Sequence, residues 1–243
     1  MNNKIESRFQ NYLKPWEDIE NYFDTMKILS KETYDTQFNF FYEGWDWEDE
    51  SIQRDIFVSV LDKIKTENPI MFELGCSGID SSVYSLLFEK KLKSKGKIIL
   101  TEPRKTLIDK AIDVYVKNGH LLNGIFYHGH NGHIKHDFGD LSLEVLNSPK
   151  LYIKDIILNN NITNIDVFHM DIQGSEVEVL TEIVNSGIKD EIKFFFISLH
   201  DTHQEIINII NKNFDNVKFY FNHPFKGGCG DGLIVFENIN CKN

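Results

Sequence analysis

Three residues have side chains suited to taking a proton from a hydroxyl group: His169, Asp171 and His200. His169 and Asp171 lie in Asp166-Val-Phe-His-Met-Asp171, an apolar run that reads as a strand, and strand alternation puts both on one face. His200 closes a second apolar run in Leu199-His200-Asp201. An imidazole titrates near neutral pH and can act as such a base, although a single histidine is more often structural. Other residues suit binding. In Glu73-Leu74-Gly75-Cys76-Ser77-Gly78 a short apolar run leads into a helix-like segment; glycine there allows a tight turn and close approach of a ligand to the backbone. A pyrophosphate-binding loop would read G-x-G-x-x-G. The pattern here is G-x-x-G followed by Ile79-Asp80, which suits a nucleoside ligand without phosphate, such as a nucleoside amino acid. Glu102 follows Ile-Ile-Leu-Thr, about where an acid accepts ribose hydroxyls in nucleoside-binding α/β folds.

A histidine-rich stretch runs His128-Gly-His130-Asn-Gly-His133-Ile-Lys-His136. Neutral imidazoles suit zinc, nickel or iron, but the glycines loosen the segment and no cysteine or paired acid stands at ligand spacing. A polar or substrate-facing loop is the better reading, and no metal is expected. Phe225 to Gly232, glycine-rich around Cys229, reads as a hairpin loop that could border the same pocket.

Elements of regular period must position these residues. Residues 1–47 form an aromatic-rich extension without clear period, able to pack against a helix or to fold over the open end of a sheet as a lid. From Glu48, Ile52, Ile56, Phe57, Val60, Leu61 and Ile64 recur at helical spacing until Asn68-Pro69. Strands are expected at Ile70–Leu74, Lys97–Thr101, Gly124–Tyr127, Ile165–Met170, Phe194–Leu199, Val217–Phe221 and Leu233–Phe236. Helices are expected over 79–95, 105–117, 175–186 and 203–213, with a less regular stretch between the third and fourth strands. Such alternation means a mostly parallel sheet covered by helices on both faces, with ligands at the carboxyl ends of the strands where strand order reverses.

The segment Asp166-Val-Phe-His-Met-Asp171-Ile-Gln-Gly174-Ser-Glu176-Val-Glu-Val-Leu180, together with Glu102-Pro103, resembles the FkbM-type methyltransferases. These carry D-x-x-K-x-D-x-E-G-x-E-x-x-V-L after strand four and E-P after strand two; Leu151–Leu158 would correspond to the family's preceding segment. His169 stands in place of the usual lysine, Gln173 in place of glutamate, and Cys76-Ser77 in place of Ala-Asn. The resemblance covers roughly residues 70–200. It implies a Rossmann-like class I fold of seven strands with a reversed last strand, spanning residues 48–243. It also implies S-adenosyl-L-methionine (SAM) as donor and a sugar or other small hydroxylated acceptor. Glu73 and Gly75 would line the donor's methionine end, Glu102 would hold its ribose, Cys76, Gly78 and Pro103 would also belong to the cofactor site, and Asp171 would face the transferred methyl. Glu176 falls in the first turn of a helix, where the helix dipole favours an acid in any case.

Bulk properties narrow the alternatives. The chain has 243 residues, 41% hydrophobic and 26% charged, with 37 acids against 26 bases for a net charge of −11. That balance argues against a nucleic-acid partner. No run reaches the roughly 18 apolar residues of a membrane helix, and the N-terminus lacks a secretory signal core. Cys76, Cys229 and Cys241 are too scattered for a disulfide framework and suit a reducing cytoplasm. Methylation of nitrogen or of a macromolecule, a nicotinamide-dependent oxidoreductase and an inactive binding module are the competing readings. Oligomeric state is left open.

Overall fold

The computed structural model describes residues 56–76, 83–91, 96–116, 123–132, 143–224 and 232–242. The aromatic extension 1–47 lies outside the described residues, as do Ser77, Gly78, Leu92, His133, His136 and Cys229. Helix α1, described over 56–61, buries Phe57, Val60 and Leu61. It ends at residue 61, short of the Asn68-Pro69 stop expected from sequence; Ile64 stays buried on the connector that follows.

Strand β1 (Ile70–Leu74) leads to α2 (Val83–Lys91), β2 (Lys97–Glu102), α3 (Lys105–Tyr115) and β3 (Gly124–His128). The stretch read as less regular holds two helices, α4 (Leu143–Leu146) and α5 (Ile153–Asn159). The segment expected to precede the fourth-strand motif is mostly α5, whose Ile153, Ile156 and Ile157 are buried. Strand β4 (Ile165–Met170), α6 (Glu176–Ser186), β5 (Ile192–Leu199), α7 (His203–Asn213), β6 (Val217–His223) and β7 (Gly232–Asn238) complete the order. Several expected strands are short by a residue or more: β5 begins at Ile192, β6 runs on to His223 and β7 extends at both ends.

The seven strands form one sheet in the order β3-β2-β1-β4-β5-β7-β6. β1 pairs in parallel with β2 and β4, and β4 with β5. β7 runs antiparallel to both β5 and β6, the reversed last strand that was expected. The order turns back between β1 and β4, so the loops leaving those two strands flank the crevice where ligands bind such sheets.

One sheet face, with Phe72, Leu74, Phe168, Met170, Phe195, Ile197 and Phe236, packs on α5, α6 and α7 in a single apolar core. The opposite face carries Glu73 and His169 and meets Phe57 of α1 and Tyr84 and Ser85 of α2. Polar side chains thus sit in a layer that periodicity alone would fill with apolar ones. Among the described residues, no helix is long and apolar enough to cross a membrane.

Candidate active site

Gly75 opens the loop after β1 with φ +77°. Its N–H and that of Cys76 both donate to the Thr101 carbonyl, at 3.0 and 3.1 Å. A Cβ on Gly75 would lie 1.9 Å from the Asp171 carbonyl oxygen. The glycine is therefore demanded by the chain itself, since the first residue after β4 crosses directly over it. Asp171 N–H in turn donates to Leu74 O at 3.0 Å, locking the two loops together. Cys76 is buried.

Glu73 is fully buried. The Ser85 hydroxyl donates to its Oε2, and its Oε1 stands 3.5 Å from His169 Nδ1. His169 pairs across the sheet with Glu73 in the β1–β4 register, and its ring lies 4.7 Å from that of Tyr84. Among the described residues neither Glu73 Oε1 nor His169 Nδ1 has a shorter polar partner. The two form an enclosed acid–imidazole pair beneath α2.

Asp171 and His200 meet at the carboxyl ends of β4 and β5, with Asp171 Oδ1 3.5 Å from His200 Nε2. Asp171 keeps 25% of its side chain exposed, against 4% for His200. Behind His200 sits Glu176, wholly buried: its Oε1 accepts from His200 Nδ1 at 2.8 Å and from the Gly174 N–H at 2.9 Å, and its Oε2 accepts from Thr202 Oγ1 at 3.2 Å. Thr202 stands at the N-cap of α7 yet makes no capping bond, its hydroxyl being committed to Glu176. Gln173 and Asp201, at the turns after β4 and β5, take left-handed φ values of 52° and 57°. Backbone held in that region by a non-glycine residue clusters at functional sites.

Glu102 ends β2 with 1% of its surface exposed. Its Oε1 accepts from the Arg104 backbone N–H at 3.1 Å and from Arg104 Nε at 2.8 Å. Pro103 follows, its carbonyl 3.0 Å from His128 Nε2. His130 Nδ1 bonds Ser148 Oγ at 3.0 Å, so the two described histidines of the histidine-rich stretch have separate partners. Asn131 lies close by, accepting from Thr101 Oγ1 at 2.7 Å and donating to Leu151 O at 3.2 Å.

Of the residues singled out from sequence, the structure joins Asp171 to His200 and Glu73 to His169 in two separate groups, with Glu102 at the neighbouring strand end. For Glu176, read from sequence as either a motif acid or one placed by the helix dipole, three donors converge on the carboxylate. Arg104, Asn131, Ser85 and Thr202 gave no signal in sequence. Each is a common polar residue whose partner is distant in the chain or reached only through a turn.

The strand order, the antiparallel β7 and the helices on both faces define the Rossmann-like class I methyltransferase fold. Solved structures of that class align with the chain. A human methyltransferase 10 domain containing protein does so with a TM-score of 0.50 and 11% identity, over 76% of this chain and 80% of that one. The delta-N METTL16 methyltransferase domain gives 0.50 and 11%, over 77% and 82%. Cofactor-bound Rv0187 from MTB gives 0.51 and 6%, over 83% and 84%. At such identities the likeness is one of fold. No family model and no curated protein sequence matches the chain.

Proposed function

We propose that the chain is a SAM-dependent methyltransferase of the FkbM type, methylating an oxygen of a sugar or other small hydroxylated metabolite in the cytoplasm. The observation that carries this reading is the placement of two acids beside the β1/β4 reversal: buried Glu102 closing β2 and partly exposed Asp171 following β4. The donor set fits SAM. A carboxylate at the end of β2 accepts ribose hydroxyls, and an acid at the end of β4 suits the neighbourhood of a sulfonium cation. Arg104, the cation beside Glu102, is engaged by Glu102 itself and so does not favour a pyrophosphate. Glu102 and Pro103 would hold the ribose, the loop from Gly75 through Cys76 to Gly78 the methionine end, and Asp171 would stand at the reacting centre. Glu73, enclosed under α2, would act on that loop through the end of β1. SAM, when bound, supplies an activated methyl group; the chain's part is to align the acceptor and to receive its proton. The solved structures of like fold, one of them cofactor-bound, support the reading, as do the motif from Asp166 to Leu180 and the Glu102-Pro103 pair. Residues 48–243 would be the catalytic domain and 1–47 an extension to it.

The test is thermal unfolding with added S-adenosylhomocysteine (SAH) or NAD. SAH at 100 times its Kd should stabilise the chain by about 2.7 kcal/mol, and NAD should not. Glu102→Gln, which keeps the side chain's shape, should remove most of the SAH effect. Stabilisation by NAD alone would sink the proposal, and an unchanged shift in Glu102→Gln would sink the ribose assignment.

A further inference from the structure

We infer that Glu176 is a positioning residue: its buried carboxylate clamps the turns after β4 and β5 together, and through the β4 turn it sets the backbone at Gly75 from which the donor loop springs. Only the ligand arm of the test rests on the methyltransferase reading.

Three donors from separate segments meet on this carboxylate. They are the Gly174 N–H of the β4 turn, His200 Nδ1 at the end of β5 and the Thr202 hydroxyl at the start of α7. An acid at the first position of a helix ordinarily serves that helix, through its dipole or its unpaired N–H groups. None of the donors to Glu176 belongs to the first turn of α6, so its hydrogen bonds tie segments together and cap nothing. Burial of a carboxylate is costly unless its oxygens find donors, and here both do. The clamped turns carry the left-handed residues Gln173 and Asp201. Backbone of that kind persists only where its surroundings over-determine it. Glu176 bonds the residue next to Gln173 and the residues on both sides of Asp201.

From the β4 turn the constraint passes to the donor loop through backbone alone. The Asp171 N–H donates to Leu74 O, and the Asp171 carbonyl fills the space that a Cβ on Gly75 would need. On the other side, Thr101 O accepts from the N–H groups of Gly75 and Cys76. Gly75 is thus fixed between β2 and a turn that Glu176 anchors. Releasing the clamp frees residues 171–174 to shift, and the start of the donor loop shifts with them. A donor bound on that loop must in turn tighten the clamp, because coupling free energies are reciprocal.

Amide hydrogen exchange of the full chain tests the clamp, and calorimetric titration with SAH tests its reach. Glu176→Ala should speed exchange at Gly174 and Asp171 by about tenfold or more relative to Phe168 and Phe195 in the strand interiors. It should weaken SAH binding by roughly threefold to thirtyfold. Glu176→Gln should restore most of both, since its oxygen can still accept from Gly174 and His200 while its amide donates to the Thr202 hydroxyl. Simple destabilisation would instead speed turn and core amides alike and leave the SAH affinity of the folded protein unchanged. That pattern, or a Glu176→Gln protein no better than Glu176→Ala, would overturn the inference. If Glu176→Ala does not fold, Thr202→Val, which removes one donor and keeps the shape, should give the same pattern at about twofold or more. No change in Thr202→Val would then overturn it. Absence of SAH binding by the wild type would overturn the donor reading, and exchange at Asp171 would still decide whether the clamp reaches Gly75.

Discussion

At the residue scale, the loops at the candidate site are held by contacts that leave little choice of side chain. Gly75 combines a left-handed φ with a backbone oxygen where its Cβ would be. A residue other than glycine in that conformation costs about 1–3 kcal/mol before any clash is counted. Gly75→Ala should therefore lower the unfolding midpoint markedly, because the Asp171 carbonyl must also move. A variant unfolding within a degree of wild type would show that the β1 and β4 loops are not packed as described. The sequence suggested glycine there for a tight turn and close approach of a ligand, and the positive φ fits the turn. At the position its Cβ would occupy, the approaching group is the chain's own backbone. Spacing within one segment cannot reveal this, since residues 75 and 171 meet only once the parallel pairing of β1 and β4 has formed.

At the scale of elements, the strands were legible because buried parallel strands are continuous apolar runs punctuated by glycine and polar turns. β4 and α7 coincide with the expected ranges, and α6 ends on Gly187, a left-handed C-cap. Helices α4 and α5 were not legible. They are short, and α5 draws its order from the packing of Ile153, Ile156 and Ile157 on the core and from Glu182 of α6, which accepts the Ile153 N–H at 2.8 Å. The candidate site was half legible for the same reason: acids and histidines at strand ends stand out, but the Glu176–His200–Thr202 group joins two helix starts far apart in the chain. The aromatic cluster at the antiparallel end of the sheet is likewise a product of assembly. Phe236 of β7 stacks on Phe195 of β5 at 4.6 Å with a 5° interplanar angle, and Phe214 meets both rings edge-on. Phe236→Ala should cost about 3–5 kcal/mol, measured by denaturant unfolding, since it removes a buried ring from a cluster that cannot close up around the gap. A loss below about 1 kcal/mol would mean that the antiparallel end of the sheet is loosely packed.

At the scale of the whole molecule, one buried carboxyl couples proton binding to folding. Asp166 begins the interior of β4 and takes the Thr66 hydroxyl at 2.5 Å and the Ile70 N–H at 2.8 Å, tying the connector before β1 to the strand beside it. Burial pushes its carboxyl above the ordinary aspartate range, and these two hydrogen bonds oppose the rise without cancelling it. A carboxyl that binds its proton more tightly when folded favours the folded state most when protonated. Its contribution is full below the unfolded aspartate value, declines as pH rises toward the raised folded value, and is constant above that. The Cys241 thiol, pushed up to about 11 by burial, stays neutral throughout this window. Glu182 is also raised by burial, so the comparison must be one of differences. Asp166→Asn keeps an acceptor for one of the two donors and removes the titration. The stability of wild type minus that of Asp166→Asn should fall as pH rises from the ordinary aspartate range through the raised value, then level off. Denaturant unfolding of both proteins across mildly acid to neutral pH measures it. A difference that stayed flat, or grew with pH, would mean that the carboxylate is held charged by its two donors and that burial does not govern this junction.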